Sequence, residues 1–252
     1  MPDYKSHLYR FEELGSSNDE ARRECYVEGD WIVVEDQLQG RGQRGHTWLS
    51  GRGENLTATL RLEPRFLVVA NQFLLSEVVA LALCDMLSEY GIEAQIKWTN
   101  DIYVDGKKIA GVLIEHSLVS SGINYTVVGI GLNINQKQFD HSLPNPTSMA
   151  LVTGRDFCRE EISQRLWNSL LRRYEELRCC GGEAIERDYH SRLYRLNQEQ
   201  LFRLASKEEF VGVIRGVKAQ GDLLIEHPDQ ELRHYLFREV EFVIEKKGET
   251  EK

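Results

Sequence analysis

The segment from Asn71 to Tyr90 constrains this chain more than any other. Phe73, Leu74, Val78, Leu81, Ala82 and Leu83 surround a helix of that span with apolar surface. A helix that is apolar all round has no face to give to water, so it must lie deep in a domain. Gly91 stands where such a helix would end. The chain therefore needs layers that cover this helix, and the flanking sequence supplies them.

Short strands are predicted at 8–11, 31–35, 94–98, 102–104, 108–118 and 123–134. Residues 55–62 alternate Leu56, Ala58, Leu60 and Leu62 with other residues, the period of a half-buried strand. Asp105-Gly106 is a type I′ hairpin signal and Ser120-Ser121-Gly122 is a second turn. Connections this short join antiparallel strands. Ser17 and Glu20 have capping-box spacing, which predicts a helix over 18–27. Ile162, Leu166, Leu170, Tyr174 and Leu177 form the stripe of an amphipathic helix over 158–178, and another helix is predicted over 183–194. After Asn197 the pattern changes to strands alone, at 201–205, 210–217, 223–227 and 240–244. Four or five short strands in about fifty residues read as a small barrel. The expected class is α/β (α+β), a mixed, largely antiparallel sheet flanked by helices. The expected division is a first domain over 1–197 and a small β-barrel domain over 198–252. The length of 252 residues has room for both.

Charge and cysteine content narrow the function. The net charge is −9, whereas a surface built for nucleic acid is usually basic. DNA is therefore not expected as a partner, and an anion would need a local basic pocket. No apolar run of membrane-spanning length is expected, and the N-terminus has no apolar signal core. The five cysteines are odd in number, and their spacing fits neither a disulfide framework nor a paired zinc site. A cytoplasmic location is the expectation, with Cys84 as a small core residue and Cys179 and Cys180 as free thiols.

Four segments carry chemistry. Gly40-Arg41-Gly42-Gln43-Arg44-Gly45-His46-Thr47-Trp48 has three glycines that let backbone N–H groups approach a ligand. Its arginines suit a carboxylate or phosphate, and Trp48 offers a flat apolar face. No Gly-Lys-Ser/Thr follows, so it is not a Walker A loop, and alone it reads equally well as a surface loop. Lys97-Trp98-Thr99-Asn100-Asp101 leads by a hairpin to Lys107-Lys108, which puts Lys97 and Lys108 near one sheet edge. Two ammonium groups there can clamp a polyphosphate, or simply flank a turn. Lys107, on the opposite face from Lys108, is read as a surface residue. Gly129 and Gly131 leave one face of a strand bare, for a ligand or for tight helix packing. Ser16-Ser17-Asn18 can cap a helix and hold a polar head group.

In this order the segments resemble the biotin protein ligases. The family pattern has a Ser-Thr-Asn-like helix start, Gly-Arg-Gly-x-x-Gly-x-x-Trp, Lys-Trp-Pro-Asn-Asp, Lys-x-Ala-Gly-x-Leu-x-Glu and a Gly-x-Gly-x-Asn strand. Here these are Ser16 to Asn18, Gly40 to Trp48, Lys97 to Asp101, Lys108 to Glu115 and Gly129 to Asn133. The resemblance covers most of residues 8–135.

It implies a catalytic domain related to class II aminoacyl-tRNA synthetases and lipoate ligases, with an SH3-like C-terminal barrel. It implies ATP and biotin as substrates, Mg²⁺ on the phosphates, and a biotin carboxyl carrier protein domain as acceptor. Ser16, Ser17, Asn18 and Gln37 would hold the biotin rings. Gly40, Arg41, Gly42, Gln43 and Arg44 would form the loop over biotin and its adenylate. Lys108 would be the central lysine, with Arg41 and either Lys97 or Arg44 as further cations. Trp48, Asn100 and Asn133 would lie near the adenylate, beside Gly111, Gly129 and Gly131. Asp101 would orient the acceptor lysine, and the metal ligands stay unassigned.

The resemblance also makes a homodimer plausible. Ahead of Leu8 the sequence leaves no room for the helix-turn-helix of the family's repressor members, so a ligase without operator binding is expected. Thr99 replaces the usual proline, which is expected to loosen a turn. Gln43 and His46 stand where members carry arginine, which removes fixed charge from the loop. A lipoate or octanoate ligase shares the ancestral chemistry but lacks the Gly-Arg-Gly loop. A non-enzymatic nucleic-acid module is the alternative of another class.

Overall fold

Seven strands form the larger sheet of the computed structural model, which describes residues 6–42 and 47–243. They are β1 (Leu8–Leu14), β2 (Trp31–Gln37), β3 (Leu56–Leu62), β4 (Gln95–Lys97), β5 (Asp101–Val104), β6 (Lys107–Val119) and β7 (Gly122–Leu132), in the order β1-β2-β3-β7-β6-β5-β4. β1 and β2 run parallel and every other pair is antiparallel, as the short turns require. Asp105 and Gly106 both take positive φ, the geometry of the I′ turn read from the sequence.

The helices are α1 (Ser17–Glu20), α2 (Phe73–Ser88), α3 (Met149–Thr153), α4 (Arg159–Cys180) and α5 (Glu183–Ser191). α2 packs against α4, α5 and one face of the sheet. Its Leu75, Val79, Leu81, Leu83, Met86 and Leu87 share a core with Trp31, Leu56, Leu60, Ile130 and Leu132. By length and composition the segment Val69–Ser88, mean hydropathy 1.4, is long and apolar enough to cross a membrane, contrary to the sequence expectation. Burial between the sheet and two helices accounts for that composition.

Two local expectations fail for identifiable reasons. The helix predicted over 18–27 stops at Glu20. The Arg61 guanidinium takes the Ala21 carbonyl at 2.9 Å, and the chain continues in tight turns such as Arg23 N–H to Glu20 O. The alternation in the sequence predicts a half-buried β3, but the strand is buried at all seven positions. Leu56, Ala58, Leu60 and Leu62 face the helices, and Thr59 and Arg61 are covered from the other side by α1 and Tyr125.

Polar groups inside this core are unevenly paired. Asp85 of α2 accepts from Arg172 at 2.6 Å, Arg173 at 2.7 Å and Arg192 at 2.7 Å. Burial raises its pKa, but the three guanidinium groups outweigh it and bring the carboxyl down to about 2. Glu77 of α2 is buried, and its Oε2 has no partner among the described residues. Burial, helped by Glu186, pushes its carboxyl up to about 8. Cys84 is buried as expected, its thiol pushed up to about 12 by burial, and Cys179 and Cys180 are exposed free thiols.

A second, five-stranded antiparallel sheet follows: β8 (Glu199–Leu204), β9 (Glu209–Val217), β10 (Leu223–Glu226), β11 (Leu232–Tyr235) and β12 (Val240–Phe242), ordered β11-β10-β9-β8-β12. β11 carries no strand signal in the sequence, because Leu232-Arg233-His234-Tyr235 has no apolar alternation. Ile244, at the end of the strand expected over 240–244, lies outside the described residues. The chain between the sheets runs along the edge of β4, with Ile96 N–H bonded to Arg192 O at 2.8 Å and Tyr194 N–H to Ile96 O at 2.9 Å. Phe202, Ile214, Val217, Leu223 and Ile225 join the same core as α2, so the second sheet is packed onto the first.

Candidate active site

The face of the larger sheet opposite α2 carries a cavity of about 480 Å³. Along β7, Val128, Ile130 and Leu132 point into the core, so Gly129 and Gly131 point into the cavity. The bare strip has two occupants. A methyl group at 129 would fall on the Asn18 carboxamide, and one at 131 would fall inside the Trp48 indole. A Cβ at Gly111 would lie 3.1 Å from the Trp48 ring and 3.2 Å from Lys108 Nζ. The glycines thus let an asparagine and an indole lie directly on the strand. The Trp48 indole N–H is buried and has no hydrogen-bond partner among the described residues.

One end of the cavity is lined mainly by uncharged polar groups, with Arg41 beside Ser16 as the charged exception in the lining. Ser17 gives both its N–H and its hydroxyl to Gln37 Oε1, at 2.8 and 2.9 Å. Thr59, buried beneath, lies 2.9 Å from Ser17 Oγ and 2.8 Å from Asn18 Oδ1. Asn18 Nδ2 donates to Glu115 at 2.9 Å and to the Leu113 carbonyl at 3.3 Å. Ser17 is therefore not the helix cap that its spacing suggested. Ser16 is the N-cap, without a side-chain capping bond, and Ser17 is aimed across the sheet. Ser16 and Thr57 complete this end.

Lys108 stands at the middle. β5 and β6 pair Ile102 with Ala110 but Tyr103 with Lys108, so Ile109 is an extra residue in β6. A one-residue bulge reverses the facing of what precedes it. Three positions apart, Lys108 and Gly111 would otherwise sit on opposite faces; the bulge puts both on the cavity. Lys108 Nζ pairs with Asp101 Oδ1 at 2.7 Å and lies 5.8 Å from the centre of the Trp48 ring. Lys107 is exposed, as read. Burial and nearby Asp101 push the Tyr103 hydroxyl well above its ordinary range, so it stays protonated.

The far end mixes charge and aromatic surface. Lys97, Asp101 and Glu241 line it with Tyr103, Phe139, Phe237 and Phe242. The walls from 139 to 146 and from 237 to 242 have no signal in the sequence as parts of a site. Residues 139–146 belong to no strand or helix, and 237–242 approach only because the second sheet folds back. Asn133 and Asn100 line the cavity but spend their amides on structure. Asn133 holds the Thr147 carbonyl at 2.9 Å, and Asn100 holds that of Val112. The Trp98–Thr99 peptide is cis.

The glycine-rich loop is only partly described. Gln43, Arg44, Gly45 and His46 lie outside the described residues. Trp48 N–H bonds to Gly40 O at 3.0 Å, and Arg41 bridges Thr47. Gly40 does not line the cavity; it is buried, and a side chain there would strike the Trp48 carbonyl. Gly42 does line it. Arg41, expected over the ligand, gives Nη2 to Asp19 at 2.5 Å and to Ser16 Oγ at 3.4 Å. Asp101, expected to face an acceptor, is the partner of Lys108.

The cavity thus offers neutral donors and acceptors at one end, a lysine in the middle and cations with aromatic rings at the other. Its size and mixed lining are those of a small-molecule site.

Comparison with known proteins agrees. The Biotin/lipoate A/B protein ligase family matches residues 16–135. The Biotin--[acetyl-CoA-carboxylase] ligase of Paracoccus denitrificans is 32% identical over 205 residues, covering 79% of this chain and 84% of that protein. The bifunctional ligase/repressor of Escherichia coli is 29% identical over 202 residues; the match covers 79% of this chain but 62% of that protein. The structure of a biotin protein ligase from Aquifex aeolicus in complex with biotin and ATP superposes with a TM-score of 0.80. It covers 94% of this chain and 98% of that one at 24% identity, which shows the shared fold. Identity at this level with the Paracoccus enzyme, over most of both chains, reflects descent as well as architecture: the chain belongs to the biotin protein ligase family.

Proposed function

We propose that this chain condenses biotin with ATP to biotinyl-5′-adenylate and transfers the biotinyl group to a lysine of a biotin carboxyl carrier protein domain. The observation that carries this reading is Lys108, placed between a neutral polar pocket and a charged, aromatic one within a single cavity.

Biotin's fused rings are neutral and carry urea donors and an acceptor. Ser16, Ser17, Asn18 and Gln37 match them with neutral partners, so no charge is desolvated in binding them. The side chain of biotin runs along the cavity past Asn18 and Trp48, which the bare residues Gly111, Gly129 and Gly131 seat on the sheet, and this brings its carboxylate to Lys108. A carboxylate oxygen then attacks the α-phosphorus, the bond to the bridging oxygen breaks, and pyrophosphate leaves. Two anions must meet, so cations must sit between them. Lys108 is at that point, with Lys97 toward the departing phosphates. Arg41 and Gly42 cover the site and keep water from the anhydride; the resemblance gives Gln43 and Arg44, which lie outside the described residues, the same role. Trp48, Asn100 and Asn133 flank the adenylate. In the second step a neutral acceptor amine attacks the acyl carbon, AMP leaves, and the amine loses a proton. Asp101 sits where it can steer both Lys108 and the incoming amine.

Mg²⁺ enters this reading with ATP. Among the described residues no three metal-ligating side chains cluster, which does not fit an all-protein cage. Asp101 and Glu241 at the charged end fit the one or two carboxylates that a phosphate-bound Mg²⁺ takes. The ion would neutralise phosphate charge there.

We further assign residues 1–197 to the catalytic domain and 198–252 to a small SH3-like domain, on the strength of five short antiparallel strands after Asn197. Five free cysteines support a cytoplasmic location. The open edge of β1 supports pairing into a homodimer. Transfer of isotope-labelled biotin to a carrier domain, with lipoate as control, tests the function. Transfer of lipoate in preference to biotin would overturn it.

A further inference from the structure

The second sheet grips the end of β4 at two successive residues. Trp98 donates its indole N–H to the Gly221 carbonyl at 2.8 Å and meets Phe237 edge-on, ring centroids 6.3 Å apart. Lys97 sets Nζ 5.0 Å from the Tyr103 ring centre and 4.9 Å from that of Phe242. An ammonium within about 6 Å of a ring centre is drawn to its π face. Tyr103 belongs to β5 and Phe242 to β12, so the two rings come from different sheets. Phe242 is itself packed on Phe202, at 5.2 Å between centroids, and lies 6.4 Å from Tyr194. Lys97, Tyr103 and Phe242 all line the cavity.

A lysine ammonium on a four-carbon stem samples many positions, and fixing it costs rotamer entropy. Two rings facing one ammonium reduce that sampling before any ligand arrives. We propose that Phe242 is a positioning residue for ATP: its ring holds the Lys97 ammonium at the phosphate end of the cavity, so the second sheet contributes to ATP binding through this contact. The proposal rests on the reading above, in which Lys97 meets the departing phosphates. Phe242 touches no reacting atom.

The full chain is assayed by biotin-dependent ATP–pyrophosphate exchange, with KM measured separately for ATP and biotin. Phe242→Leu keeps apolar bulk and removes the π face, so it should raise KM for ATP roughly tenfold and leave KM for biotin near its original value. Phe242→Tyr keeps the face and should restore KM for ATP. In a Lys97→Met background, Phe242→Leu should add no further loss. NMR of the Lys97 ε-methylene reads the contact without reference to activity: its ring-current shift should shrink in Phe242→Leu to the share that Tyr103 supplies, and persist in full in Phe242→Tyr. Equal behaviour of the Leu and Tyr variants, a parallel rise in both KM values, or additive losses with Lys97→Met would overturn the proposal. An unchanged Lys97 resonance in Phe242→Leu would sink the contact alone, whereas an unchanged KM for ATP in Lys97→Met would sink the phosphate role of Lys97 on which the proposal stands.

Discussion

Lys108 carries its ammonium 2.7 Å from a carboxylate oxygen of Asp101, and the extra residue Ile109 in β6 is what turns the lysine to that side of the sheet. Both side chains are only partly exposed, so the pair is held in place without being sealed from substrates. Lys108→Ala should lower the rate of biotin-dependent ATP–pyrophosphate exchange by about 10²–10³. Its thermal unfolding should stay close to that of the parent, because the lysine is at the cavity wall rather than in the core. Asp101→Asn frees the ammonium and should slow exchange as well as transfer. A loss confined to transfer would separate Asp101 from Lys108 and leave it with the acceptor alone.

Gly131 tests the indole above it. In Gly131→Ala the new methyl must displace Trp48, since the two would occupy the same space. Adenylate should be released more than roughly tenfold faster, the loss of about one good apolar contact. Tryptophan emission should shift to longer wavelength as the ring meets water. An unchanged spectrum and release rate would show that Trp48 does not depend on the bare strip.

Glu77 makes stability fall with pH. Its folded pKa, about 8, lies above the ordinary 4.5, so the folded state keeps a proton that the unfolded chain releases. The folded state therefore loses relative stability as pH rises from about 4.5 to about 8, and the contribution is flat outside that window. At pH 7 the cost is about 3 kcal/mol. The groups facing this carboxyl include Glu186 and Tyr189 of α5, and neither supplies a counter-charge. Glu77→Gln should flatten the dependence of melting temperature on pH between 5 and 8. A slope equal to that of the parent would place the titrating group elsewhere.

Asp85 acts in the opposite sense. Its folded pKa is depressed to about 2, so its stabilisation is present above the ordinary carboxylate range and is lost as pH falls through about 2. Asp85→Asn leaves Arg173, almost buried, with one fewer anion and should cost roughly 3 kcal/mol in urea unfolding at pH 7. The loss should shrink near pH 2, where the parent carboxyl is itself protonated. A loss of the same size at both pH values would mean that packing around Asp85, not its charge, is what matters.

The same residues show what could be read in advance. Helix α2, the hairpin at Asp105-Gly106 and the strands around it follow from local periodicity and turn chemistry, which need no distant partner. Sixteen of the eighteen residues named for the site have described positions, and fifteen line one cavity; Gly40 acts as the close backbone approach beneath Trp48. The end of α1 was not legible, because the group that takes the Ala21 carbonyl is Arg61, forty residues on. Nor were Phe139, Phe237 and Phe242, since an aromatic in a loop or short edge strand has no local signature of the cavity it will face.

What the sequence determined by itself was therefore most of the elements and the chemical inventory of the site, because spacing and side-chain type are properties of short stretches of chain. The tertiary structure alone decided facing and partnership. The bulge at Ile109 aims Lys108, the bare glycines receive Asn18 and Trp48, Asp19 holds Arg41, and the second sheet brings Phe242 to Lys97. These depend on register and on contacts between residues far apart in the chain, and a shift of one residue in a strand reverses every side chain on it.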